Sequence, residues 1–478
     1  MSLASDVAAT LQPGFAGVRV PDWVAEAHAA GLVSVCLYGD NVPVGGGLDG
    51  VCADLHERLP GVLLAVDEEG GDVTRLHYPE GSPTVGNAVL GRLDDEDLTR
   101  RSAAGIGAEL AALGIGLDLA PVVDVNSSPE NPVIGVRSLG ADARSVARHA
   151  VAWVEGLQGV GVAACAKHFP GHGDTVVDSH HGLPRVDAPL EVLRERELLP
   201  FAAAVRARVA SVMTSHVVVT ALDPDRPATF SPIVLGVLRG ELGFDGVLVS
   251  DALDMAGASA ETGIPEAAVR ALAAGVDLLC LGSATSAERY REVHAAVVEA
   301  VRSGRLPEAR VTEAATRVRD LARRFAPGAA AVAQAHGVPA GGQADAPSAA
   351  PNAAAVAATF GLSEPGRAFL GDPAPLSVVQ VGSTANLAVG EVAWGPAALG
   401  ATVAEADVPT GARVAVVGRA VGPDHSAHEV AARLRAAGHR VVLVDCGWPR
   451  GGADVETYGG SPAVARALMG LLRGEVAA

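Results

Sequence analysis

Over the first 325 residues, short apolar runs alternate with longer stretches whose apolar residues recur at three- and four-residue intervals. The short runs predict strands at "LVSVCLYG" (32–39), "GVLLAVD" (61–67), "IGLDLAPVVDV" (115–125), "GVAACAKHF" (161–169), "VASVMTSHVVV" (209–219), "GVLVSD" (246–251) and "VDLLCLG" (276–282). An earlier strand is expected within "VAATLQPGF" (7–15), and helices over 21–31 and 285–304. Strands that are apolar almost throughout are buried on both faces, which implies a parallel sheet covered by helices. About eight strand–helix units point to an α/β fold built as a (β/α)8, TIM-like barrel. A doubly wound sheet has the same periodicity and stays open at this point.

The pattern breaks after residue 325. Residues 326–353 are rich in Ala, Gly and Pro and poor in large apolar residues, the composition of a linker. Beyond them, "ARVAVVGRAVGPDHSAHEVAARLRAAGHRVVLVDCG" reads strand, helix, strand, so 354–478 is expected to be a small α/β C-terminal domain. Its "GRAVG" lacks the GxGxxG spacing of a dinucleotide loop. The reading is therefore a (β/α)8 barrel over 1–325, a linker over 326–353 and a second domain over 354–478.

Composition narrows the partners. A formal charge of −19 argues against nucleic acid, which needs a basic footprint. No run of eighteen apolar residues predicts a membrane span, and the first residues carry no signal-peptide pattern. The five cysteines are scattered without CxxC spacing, as in a reducing compartment. A cytoplasmic protein with no cofactor is the expectation; the pattern specifies no oligomeric state.

Candidate chemistry collects where strands end, the rim on which parallel α/β proteins build their sites. Asp67, with Arg75 eight residues on, follows the second full run, and Arg137 lies in the long loop after the third. Lys167 and His168 end the fourth, and Ser250 and Asp251 the sixth. Singly, Asp67 or Asp251 could cap a helix and Arg137 could form a surface ion pair. Four strand ends carrying charge toward one rim favour a site.

The segment "KHFPGHGDTVVDSHHGLP" (167–184) has its own alternatives. His168, His172, Asp174, Asp178, His180 and His181 are the right residue types for a metal-dependent hydrolase, although the compact HxHxDH spacing is absent. Asp178 and His180, two apart in an extended segment, would point the same way, so the carboxylate could orient the imidazole for proton transfer. A solvated crossover loop is the third possibility.

Taken in order, "VDEEGGDVTR", "GVRSLG", "KHFPGHGDTVVDSHHGLP" and "ELGFDGVLVSDALDM" resemble glycoside hydrolase family 3, within it the bacterial exo-β-N-acetylglucosaminidases of peptidoglycan recycling. The resemblance covers the first 325 residues or so. It implies that Asp251 is the nucleophile, His180 the general acid/base and Asp178 its partner, with no metal. It also implies that Asp67, Arg75, Arg137, Lys167 and His168 bind the sugar. Two positions depart from the family pattern: Asp72, where a basic residue is usual, and Ala252, where many relatives carry a second Asp. The function implied is retaining hydrolysis that frees non-reducing-end N-acetylglucosamine from a small carbohydrate substrate. A phosphorylase of the same family is the alternative, since a neutral histidine repels phosphate less than a carboxylate would.

Overall fold

The computed structural model describes residues 1–175, 183–260, 262–327, 351–382 and 388–477. Asp178 and His180 lie outside the described residues, as does most of the 326–353 stretch.

Eight parallel strands form the first domain: β1 (Leu11–Gln12), β2 (Ser34–Leu37), β3 (Leu63–Val66), β4 (Ile115–Asp118), β5 (Ala163–Phe169), β6 (Ser211–Thr214), β7 (Val247–Val249) and β8 (Leu279–Cys280). Strands β2 to β7 make one continuous parallel sheet. Its two edges meet across β1: Cys36 N donates to Pro13 O, Leu281 N to Gln12 O and Ser250 N to Leu278 O, so the sheet closes on itself. The closed barrel, with helices between successive strands, removes the doubly wound alternative. Inside it, Cys36, Leu63, Leu117, Cys165, Met213 and Val247 form a dry core. The amphipathic helix Glu308–Phe325 adds Val318, Leu321 and Phe325 to that core.

Each strand falls within its expected run, but several are shorter, for local reasons. The 115–125 run is regular strand only to Asp118; beyond it, around Pro121, which has no N–H to donate, Ala120 O and Pro121 O accept from Cys165 N and Lys167 N of β5, and Val123 N donates to Lys167 O. The end of the 209–219 run leaves the barrel: Val218–Val219 pairs with Arg185–Val186 on the rim. That pair fixes the segment returning from the histidine-rich loop. Near the N-terminus, Leu3–Ala9 is helical rather than extended; Ser2 caps it through Ser5 N at 3.3 Å, and Asp6 pairs with Arg319 at 2.7 Å.

The second sheet holds β9 (Gly361–Leu362), β10 (Leu376–Gln380), β11 (Arg413–Gly418), β12 (Arg440–Asp445) and β13 (Val455–Glu456), in the order β9-β13-β12-β11-β10. All neighbours are parallel except β9 and β13. This sheet docks on the rim at the carboxyl ends of the barrel strands. Gly460 N donates to Asp72 Oδ1 at 2.9 Å, Ala393 N to Pro79 O at 2.8 Å and Glu391 N to Tyr78 Oη at 3.1 Å. Arg92 Nε donates to Thr359 O at 2.6 Å while its guanidinium lies 3.9 Å above the Tyr458 ring.

Candidate active site

The strand-end residues converge. One cavity at the carboxyl ends of the barrel strands is lined by Asp67, Arg75, Arg137, Lys167, His168 and Asp251 together. Thus all six described residues to which the resemblance gives a role border a single space; Asp178 and His180 belong to the undescribed segment.

All three cations are buried, and a residue not singled out in the sequence holds two of them. Glu69 accepts from Arg137 Nε at 2.9 Å and Nη2 at 2.7 Å, and pairs with Lys167 Nζ at 2.7 Å. Lys167 Nζ also donates to Asp67 Oδ1 at 2.6 Å. Burial alone would push the Glu69 carboxyl up, but Arg137 and Lys167 outweigh it and hold the group well below the usual range. Burial likewise opposes the charge on Lys167, yet Asp67 and Glu69 raise its pKa. The result is a rigid ionic chain, Asp67–Lys167–Glu69–Arg137, with its members fixed before any ligand arrives.

Asp124 does the same for the histidines. It accepts from His168 Nδ1 at 2.6 Å and from the His172 backbone N–H at 2.7 Å. Burial pushes it up, His168 pulls it down further, and the net direction is down. With Nδ1 donating, His168 presents Nε2 as an acceptor, 3.4 Å from Arg137 Nη2. His172 faces the same cavity with Nδ1 against Thr175 Oγ1 at 2.8 Å. Burial depresses its pKa to about 4, so it is a neutral ring at pH 7 and a poor proton donor. Each ring therefore has its Nδ1 committed to a protein partner, and among the described residues no group of three or more His, Cys, Asp or Glu is placed to hold a metal.

Asp251 follows β7, partly exposed, with Oδ1 accepting from Ala252 N at 2.8 Å. The Ala252 carbonyl in turn meets His216 Nε2 at 3.0 Å, so the turn after the strand is braced from behind. Arg75 is placed differently from the rest. Its Nη2 donates to Ala388 O at 2.8 Å, and Nη1 to Thr74 O at 3.1 Å and Val389 O at 3.5 Å. It walls the cavity, and two of these three bonds reach the second domain. Asp72, the first departure from the family pattern, also serves that contact, pairing with Arg419 at 3.3 Å.

Among the described residues the charged lining balances: Asp67, Glu69 and Asp251 against Arg75, Arg137 and Lys167. Tyr38, Leu119, Met213 and Met255 supply apolar wall. A neutral polyhydroxylated ring, offered paired donors and acceptors beside apolar surface, fits that lining better than an ionic ligand does.

Comparison with known proteins agrees. Residues 14–321 match the family model described as the glycosyl hydrolase family 3 N-terminal domain. The chain is 36% identical over 299 residues to beta-hexosaminidase A of Pseudoalteromonas piscicida, covering 58% of this chain and 50% of that protein. It is 41% identical over 230 residues to a beta-hexosaminidase of Chromobacterium violaceum, covering 46% and 63%. The chain thus spans half the length of the first and under two thirds of the second. Among solved structures, a glycoside hydrolase family 3 β-N-acetylglucosaminidase from Paenibacillus sp. superposes with a TM-score of 0.82 at 30% identity, covering 100% of this chain and 97% of the other. NagZ from Neisseria gonorrhoeae, solved in complex with N-trifluoroacetyl-D-glucosamine, gives a TM-score of 0.57 at 30% identity over 69% of this chain and 93% of its own.

Proposed function

Because this chain belongs to glycoside hydrolase family 3, we propose that it is a retaining exo-β-N-acetylglucosaminidase that cleaves non-reducing-end N-acetylglucosamine through a glycosyl–enzyme intermediate. The observation that carries this reading is the cavity in which Asp251 faces the Asp67–Lys167–Glu69–Arg137 chain and His168. Asp67, Lys167 and His168 hold the sugar hydroxyls, which orients the anomeric carbon toward the Asp251 carboxylate. Fixing a reacting pair in this way removes entropy from the barrier before chemistry starts.

Asp251 attacks the anomeric carbon as the glycosidic bond breaks, and the leaving oxygen takes a proton from His180. An imidazole with an ordinary pKa near ~6.5 is mostly neutral at pH 7, so its donor form needs the Asp178 carboxylate beside it. Once the glycosyl ester has formed, neutral His180 accepts a proton from the attacking water. Acid/base assistance of this kind is worth ~100- to 10,000-fold. Water is the acceptor proposed, and the products are free N-acetylglucosamine and the aglycone.

The proposal extends to peptidoglycan-derived fragments as natural substrates and to the cytoplasm as their location. Support for the compartment comes from five buried cysteines, none in a disulfide.

Turnover of 4-nitrophenyl N-acetyl-β-glucosaminide tests the reading. Asp251→Ala should abolish it. His180→Ala should slow it strongly for poor leaving groups and less for very acidic ones. Near wild-type rates in both variants would remove the proposal, and sugar 1-phosphate formed in phosphate buffer would replace hydrolysis by phosphorolysis.

A further inference from the structure

The turn that carries Asp251 past the end of β7 is held from two sides. From β8, Cys280 N donates to Ser250 Oγ at 3.0 Å, and Cys280 O accepts from Leu253 N at 2.9 Å. From beyond the end of β6 comes His216, fully buried, with Nε2 3.0 Å from Ala252 O. The peptide joining Ala252 to Leu253 is thus gripped at both polar ends, its oxygen by His216 and its N–H by Cys280. The peptide before it supplies the Ala252 N–H that Asp251 Oδ1 accepts at 2.8 Å. Two dihedrals, φ and ψ of Ala252, separate the gripped peptide from the one bonded to the carboxylate. Fixing the first limits the directions open to the second.

The proton on His216 can be placed. A carbonyl oxygen accepts and never donates, so Nε2 carries the hydrogen that Ala252 O receives. Nδ1 lies 3.0 Å from Thr229 Oγ1, and Thr229 Oγ1 lies 2.8 Å from Thr214 Oγ1. In the neutral ring Nδ1 accepts from the Thr229 hydroxyl, which in turn accepts from Thr214. The Thr229 N–H still serves Ser215 O, at 3.2 Å. One file of hydrogen bonds then runs from Thr214 through Thr229 and His216 to the turn of Asp251.

Burial and ring packing are the ordinary reasons for an interior histidine, and His216 does stack on Phe230, with centroids 6.3 Å apart and planes 20° apart. Packing alone would be served by an apolar ring. Here Thr214, His216 and Thr229 are all fully buried, and their file ends on the backbone beside Asp251. A buried network whose members are satisfied is rigid, which is what a reacting carboxylate needs from its support.

We propose that His216 is a positioning residue for the nucleophile: as the Nε2–H tautomer it clamps the Ala252 carbonyl and so sets the direction of the Asp251 carboxylate. The assignment rests on the glycosidase reading above and adds to it a residue that acts through the backbone and not on the sugar.

Three substitutions separate the donor from the ring. His216→Phe keeps a ring against Phe230 without the donor, His216→Gln keeps an amide N–H at the reach of Nε2, and His216→Asn reaches only as far as Nδ1. With 4-nitrophenyl N-acetyl-β-glucosaminide, kcat/KM should fall about ten-fold or more in His216→Phe and His216→Asn and return to within about three-fold of wild type in His216→Gln. Inhibition by free N-acetylglucosamine, which reads sugar binding alone, should change less than about two-fold in all three. Near wild-type kcat/KM in His216→Phe overturns the proposal. So does a loss that follows melting temperature across the set, with His216→Gln no better than His216→Asn. A wild type that turns over no N-acetylglucosaminide sinks the glycosidase reading by itself; the clamp is then read from the imidazole 15N spectrum, in which the His216 signal is the one lost in His216→Gln. That signal must show Nε2 protonated and Nδ1 bare, and any other state overturns the clamp.

Discussion

At the scale of single residues, the site depends on carboxylates that never touch the proposed reaction centre. Glu69 carries both Arg137 and Lys167, so Glu69→Gln leaves two buried cations short of counter-charge. Breaking a buried ion pair from one side costs about 3–5 kcal/mol. The variant should melt markedly lower and show a raised KM, measured by thermal denaturation and steady-state kinetics. Glu197 gives a pH signature. Burial pushes its carboxyl up to about 7, with Arg196 opposing and Asp124 and Asp174 adding to the rise. Below about 4.5 the group is protonated in both folded and unfolded chains; between about 4.5 and about 7 only the unfolded chain ionises, so stability falls as pH rises. The loss amounts to ~3 kcal/mol at most. Glu197→Gln should therefore gain in melting temperature relative to wild type from pH 5 to pH 8; a difference that stays constant or shrinks would contradict it.

Which of these residues could be read in advance follows from sequence distance. Asp67, Lys167, His168 and Asp251 stand at the ends of apolar strands and declare themselves. Glu69 could have been found by the same i, i+2 rule that paired Asp178 with His180, because it shares a face with Asp67 and both meet Lys167. Asp124 was visible as a strand-end acid, but its partner His168 lies 44 residues on and nothing local names it. Arg75 shows a different limit: it lines the cavity as its motif position implies, but its bonds to carbonyls more than 300 residues away have no local signal.

At the scale of elements, the described residues that flank Asp178 and His180 in the chain are held on both sides. On the leaving side Arg185–Val186 pairs with Val218–Val219. On the entering side the chain is pressed against the loop after β4: a Cβ on Gly173 would stand 1.8 Å from Val125 O. Ser127 Oγ and Arg196 Nη2 also hold Asp174, at 2.9 and 2.6 Å. Gly173→Ala must displace that contact and should lower kcat at least ten-fold, a misplacement that would carry about 1.4 kcal/mol in the barrier. A variant with normal kcat would show that the entry to the segment does not set the acid/base geometry. Apolar periodicity located the elements, but the rim pairing and this close approach are tertiary facts with no local signal.

At the scale of the whole molecule, the second domain is part of the catalytic rim. Val73 and Tyr78 of the barrel pack with Val389 and Val392, and Asp72 and Arg75 bond across the same contact. Cutting the chain after residue 327 would expose the Val73–Tyr78 surface and strand two charged side chains. The truncated barrel should be less soluble and melt several degrees lower than the full chain, as light scattering and calorimetry would record. Composition announced a second domain; it held no sign that Asp72, an odd residue for its motif, was the fastening.

The closure of the barrel has a further consequence. Its joint runs through β1 and β8, strands of two residues each, whereas β5 spans seven. Few backbone bonds guard that joint, so transient opening should start there and not on the far side of the cylinder. Cys280 sits in β8 and Cys165 in β5, both buried at rest. A slow thiol reagent is thus a clock for breathing of the fold, marking the first cysteine long before the second.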